Sequence, residues 1–178
     1  MSLPLDHHLY MRQPSYFDSI QFQGLILDPG AITIAPAIAP QLIEFIGDSI
    51  TSGYLDSRAE LSDYAWLAGE QLHVEHTQIA YPGICLVDNV ACYSPNSIGM
   101  GRQFFKLQTP NSTASPNWDF TRYQAQEVVI NLGTNDSNVG ISDATFQSAY
   151  VSFLREYALF IPMHRFLCLE PLVAINRA

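Results

Sequence analysis

Three short segments carry the residues whose types and spacing suit covalent chemistry. Gly47-Asp48-Ser49 runs on into Ile50-Thr51-Ser52-Gly53, Gly83 closes Tyr81-Pro82-Gly83, and Gly133-Thr134-Asn135-Asp136 forms the third. A serine set directly after an apolar strand, on a tight turn, holds its hydroxyl at the carboxyl edge of a sheet, where acyl transfer needs a nucleophile. The tetrahedral intermediate of that reaction needs donors aimed at its oxyanion. A glycine N–H on a neighbouring loop and an asparagine side-chain amide can supply them. Each motif alone is weak, since Asn-Asp after a strand is usually turn chemistry. Their order and shared strand context carry the signal. Asp48 and Asp136 flank these residues, and a paired-carboxylate glycosidase is conceivable from them. The preferred reading is that Asp48 bonds nearby backbone N–H groups and Asp136 braces the Asn135 loop.

These residues need a scaffold, and the chain offers a repeating one. Leu42 to Ile46 is a short apolar run ending in Gly47-Asp48-Ser49, as a buried parallel strand does when it delivers a loop. Residues 62–72 read as a helix with Ser62 as N-cap, and a second strand spans about 74–80. A third, Glu127 to Leu132, ends at Gly133. Residues 143–157 have helical spacing, and Phe166 to Leu169 is a fourth strand candidate. Strand, glycine loop and helix in repetition predict an α/β fold with a parallel sheet, its ligands at the carboxyl ends of the strands. The stretch 94–120, rich in Ser, Asn, Thr, Pro and Gly, is expected to be a surface excursion with short helical pieces. Ahead of this unit, residues 7–12 and 19–27 read as two strands of a hairpin, and Ala31 to Pro40 as an extended linker.

The segment Ile43 to Tyr54, with Tyr81-Pro82-Gly83 and Val129 to Asp136, resembles the SGNH hydrolase (GDSL-type esterase) superfamily. Within it, the likeness is nearest to carbohydrate esterase family 2, the two-domain acetylxylan-type esterases. Phe22 to Gly30 resembles the end of that branch's jelly-roll domain, and Trp118-Asp119-Phe120 its lead-in to the third block. The resemblance implies an SGNH (flavodoxin-like) sheet over residues 41–178, incomplete at the C-terminus. It also implies that residues 1–40 are a β-hairpin remnant of a jelly-roll domain and linker. Ser49 is then the nucleophile, the oxyanion hole is the Ser49 N–H, the Gly83 N–H and the Asn135 side chain, and no metal or organic cofactor is called for. The implied substrate is O-acetylated plant polysaccharide such as xylan, and the implied location extracellular, although Met1 to Arg12 has no signal-peptide pattern.

One element of that pattern is missing. The family's base is a histidine near the C-terminus in an Asp-x-x-His segment, and none occurs here. The chain therefore reads as truncated at both ends and at best a weak esterase. His73 and His76 fall at the predicted amino edge of the sheet, His7 and His8 in the N-terminal strand, and His164 before the fourth strand. An inactive remnant or a carbohydrate-binding fragment is the alternative. Nucleotide binding by the Gly47 to Gly53 loop is disfavoured, because it has neither a P-loop lysine nor G-x-G-x-x-G spacing.

Composition narrows the partners. The 178 residues are 48% hydrophobic and 12% aromatic, which predicts a globular core. With 8 Lys+Arg against 17 Asp+Glu, the net charge of −9 argues against nucleic acid and anionic membranes as partners. The apolar face of the N-terminal hairpin, Phe22 and Leu25 among others, is expected either to pack on the α/β domain or to be exposed, and exposure favours self-association. Cys85, Cys92 and Cys168 read as small buried thiols, with a Cys85–Cys92 bridge as the alternative if the chain turns back between them. Trp66 and Trp118 read as core residues rather than sugar platforms. Asn111-Ser112-Thr113 is a glycosylation sequon that matters only in a secreted protein, and Asn135-Asp136-Ser137 a coincidental one.

Overall fold

Four short strands pair into one parallel sheet in the computed structural model, which describes residues 23–112, 114–161 and 165–169. The strands are β1 (Leu42–Gly47), β2 (Glu75–Ala80), β3 (Glu127–Asn131) and β4 (Arg165–Cys168), in the order β2-β1-β3-β4. The helices are α1 (Tyr64–Leu72), α2 (Met100–Gln103), α3 (Thr134–Asn138) and α4 (Asp143–Phe160). From the central pair β1·β3, the chain crosses by α1 to β2 on one side and by α4 to β4 on the other. Right-handed crossovers running in opposite directions put α1 and α4 on opposite faces of the sheet. The fold is α/β, as the alternation of elements predicts.

Side-chain alternation along β1 matches this layering. Ile43 and Phe45 pack with Ala65 of α1, whereas Ile46 joins Val128 and Ile130 against Phe153 and Tyr157 of α4. Glu44 lies on this second face, almost fully buried, and accepts hydrogen bonds from Tyr123 Oη at 3.1 Å and Tyr157 Oη at 3.0 Å. Burial raises its pKa above the usual carboxylate value, and the two tyrosine hydroxyls only partly offset that.

The structure corrects several expectations. Residues 23–27 form no strand, and Leu25, Ile26 and Leu27 are exposed; residues 7–12 and 19–22 lie outside the described residues. The N-cap of α1 is Asp63, not Ser62: Asp63 Oδ1 accepts the Trp66 N–H at 2.8 Å, while Ser62 Oγ turns back to Ala59 O. Helix α4 runs three residues beyond the expected end, and β4 starts one residue earlier than expected. The excursion at 94–120 is not merely a surface loop. Met100, Phe104, Phe105 and Phe120 from it are buried in the main core. Trp118 packs partly buried on the same cluster, while Trp66 stands edge-on to His76, ring centroids 5.0 Å apart. Finally, Cys85 and Cys92 form a disulfide with Cα atoms 6.0 Å apart, so they are not free thiols; Cys168 is free and exposed.

Candidate active site

The strand register brings the three motifs to one edge. Gly47 at the end of β1 is opposite Ala80 of β2 and Asn131 of β3, so the segments that follow all emerge together. The crevice between β1 and β3 is the point where strand order reverses, the usual ligand position in open α/β sheets.

The Ser49 turn is shaped by its neighbours. At Gly47, a Cβ atom would fall 2.0 Å from Thr51 Oγ1 and 3.0 Å from Asn131 O, so only glycine allows the turn to fold back this closely. Asp48 Oδ1 accepts the Ile50 N–H at 3.0 Å, an Asx-type turn, and Asp48 O accepts the Ser52 N–H at 3.0 Å. Ser49 is left partly exposed between buried Asp48 and buried Thr51.

On the second loop, Gly83 adopts φ +81°, and a Cβ there would lie 2.6 Å from Tyr93 Cβ. Its carbonyl accepts the Tyr93 N–H at 3.2 Å, and the Cys85–Cys92 disulfide closes the loop between them. Tyr93 itself is largely exposed beside Gly83. The cysteine spacing alone could not reveal this pairing, since it depends on a reversal that Tyr93 and Gly83 fix.

The third loop ties the other two together. Asn135, buried in α3, donates from Nδ2 to Ile84 O at 2.9 Å and to Asp48 Oδ2 at 3.3 Å. Asp136, also buried, accepts the Leu86 N–H at 2.8 Å and the Val87 N–H at 3.0 Å. One loop therefore grips the residue before Ser49 and the residues just after Gly83.

Burial dominates the electrostatics here. It pushes the Asp48 carboxyl up to about 6; the Ile50 N–H pulls the other way, and the charge of Asp136 adds to the rise. Asp136 is raised as well, again by burial, with the Val87 and Leu86 N–H groups opposing.

The histidines within the described residues sit elsewhere. His76 pairs with Ile43 at the amino end of the sheet and lies 3.6 Å from Glu70, and His73 is the exposed C-cap of α1. His7, His8 and His164 lie outside the described residues.

No family model matches the chain. It is 33% identical over 183 residues to the cellulase/esterase CelE of Acetivibrio thermocellus, an alignment covering 94% of this chain and 22% of that protein. It is 24% identical to an acetylxylan esterase / glucomannan deacetylase of Cellvibrio japonicus, covering 81% of this chain and 43% of the relative. Among solved structures, a family two carbohydrate esterase from Clostridium thermocellum in complex with cellohexaose superposes with a TM-score of 0.64 at 31% identity, over 76% of this chain and 44% of that one. The chain thus spans less than half the length of each of these proteins.

Proposed function

We propose that this chain, whose homologues and structural neighbours are carbohydrate esterases of family 2, carries the nucleophile and oxyanion loops of an SGNH-type carboxylic ester hydrolase. Its substrate class is O-acetylated plant polysaccharide of the xylan type, met outside the cell, as the acetylxylan esterase relative suggests. Ser49 Oγ attacks the acetyl carbonyl, the sugar hydroxyl leaves, and water hydrolyses the acyl-enzyme. The Ser49 and Gly83 N–H groups and Asn135 Nδ2 receive the oxyanion.

The observation that supports this reading is the Asn135 amide, which bonds to Ile84 O and to Asp48 Oδ2, one residue from Gly83 and one from Ser49. The Asp48 contact is the longer of the two, so its proton is the one a developing oxyanion takes over. Asp48 and Asp136 act as supports that hold the loops, not as a carboxylate pair at a glycosidic bond. A second reading, saccharide binding without turnover, is favoured by the position of His73 and His76 at the far edge of the sheet.

The test is hydrolysis of a small acetyl ester by the chain, by Ser49→Ala, and by the chain extended with an Asp-x-x-His segment. The extended chain should gain activity that Ser49→Ala abolishes, while the unextended chain stays weak. An extended chain no faster than its Ser49→Ala form sinks the hydrolase reading. Turnover of about 1–10³ per second by the unextended chain would instead show that one of its own histidines serves as base.

A further inference from the structure

A cavity of about 500 Å³ opens between α2, α4 and the 105–120 segment, and Ser49, Gly83 and Asn135 do not line it. Its size falls within the range of small-molecule sites, about 300–1,000 Å³. A smaller space of about 140 Å³ adjoins it across Lys106, Trp118 and Phe120, extending the same cleft inward.

The lining has two characters. Trp118 and Phe160 are partly exposed rings on an aromatic floor; Phe160 stacks on Phe120 at 4.9 Å, and the Arg122 guanidinium sits 5.6 Å from the Trp118 centroid. Around them stand two acids, Asp88 and Glu156, and two bases, Arg102 and Lys106, so the cleft has no net charge. Arg102 pairs with Asp88 at 3.4 Å, and Lys106 Nζ donates to Asn117 Oδ1 at 2.7 Å. These pairs leave the Asn117 amide protons, the other Lys106 protons and the Glu156 carboxylate for a ligand.

Such a lining discriminates. A phosphate or carboxylate ligand would meet as much negative as positive charge, and an acyl chain would strand four ionic groups. A neutral molecule with flat apolar faces and many hydroxyls satisfies both parts of the wall, because its C–H faces lie on the rings while its hydroxyls alternately donate and accept. We propose that this cleft is a second binding site, for a short neutral oligosaccharide, apart from the Ser49 loops. It does not depend on Ser49 being a nucleophile.

The experiment is a titration of the chain with unacetylated xylotriose and cellotriose, followed by amide and indole N–H shifts in two-dimensional NMR. The chain has two tryptophans, which gives one indole signal inside the cleft and one outside it. The Trp118 indole should shift with millimolar sugar, while Trp66 and the Gly83 and Asn135 amides stay still. Ser152, exposed on α4, also lines the cleft, so Ser152→Trp fills it without touching the core. That variant should lose binding at unchanged melting temperature. Trp118→Ala should weaken binding at least about tenfold, and Trp118→Phe should retain most of it. Ser49→Ala should bind as the parent does. Shifts confined to Gly83 and Asn135, no shift at millimolar sugar, or undiminished binding by a folded Ser152→Trp chain would each overturn the proposal.

Discussion

Asp48 meets two demands at once: it holds the Ser49 turn through Ile50 and steadies Asn135, yet it does so from a buried position that disfavours its charge. Its folded pKa of about 6 exceeds the ordinary value of 3.8, so between those limits the folded chain keeps a proton that the unfolded chain has lost. Stability on this account falls as pH rises from about 4 to about 6, and the cost of the buried charge persists above that window. Asp63, likewise pushed up to about 6 chiefly by burial, adds a slope of the same sign. Urea midpoints should therefore decline between pH 4 and 7 in the parent and decline less in Asp48→Asn; parallel profiles would contradict the assignment. Asn135→Ala tests the donor role directly. In the chain extended with the Asp-x-x-His segment it should lower turnover by about 10²–10³ with little change in the sugar's apparent affinity. That Ser49, Gly83 and Asn135 lie at one edge of the sheet is legible in the sequence, because a glycine-bearing loop follows each of the three strands. The grip of Asn135 on Asp48 and Ile84 is not, since it joins residues 87 and 51 positions apart.

The elements were readable to different depths for physical reasons. Strands β1 and β3 are apolar runs cut off by glycine, a pattern that leaves few alternatives. The start of α1 is harder, because Ser62 and Asp63 are both good caps and the choice rests on Gln78 in β2, whose Nε2 donates to Asp63 at 2.9 Å. Asp63→Ala should accordingly cost about 1–2 kcal/mol in urea denaturation, whereas Ser62→Ala should cost less. The 94–120 segment looks polar by count, yet Met100 and Phe104, four residues apart, share one side of a helical turn and pack as core together with Phe105. Composition hid what spacing carried. The Cys85–Cys92 disulfide closes a short loop, so the loop-entropy model assigns it about 2–3 kcal/mol. Replacing both cysteines by serine should lower the melting temperature, and the Gly83 and Tyr93 amides should exchange faster with solvent than those of β1.

For the molecule as a whole, the apolar side chains of Leu25, Ile26, Ile32, Ile34 and Ile38 are exposed along one extended stretch. Large apolar side chains left exposed in one segment favour association. Sedimentation velocity should show a concentration-dependent oligomer that dissociates when residues 1–38 are removed; a monomer at every concentration would refute this. None of the described helices is long and apolar enough to cross a membrane. The strand order has a further consequence, for synthesis rather than for the finished protein. Central strand β1 reaches its inner neighbour only across a long interval of chain, as the bond from Leu42 N–H to Gln126 Oε1 over 84 residues illustrates. At about 5–20 residues per second, a ribosome takes roughly ten seconds to deliver β3 after β1 has emerged. Throughout that time β1 can pair only with β2, and its other edge is an open template for any passing strand. The nascent chain should therefore depend on holding chaperones during translation, and refolding from denaturant should be slow and yield more soluble protein at low concentration.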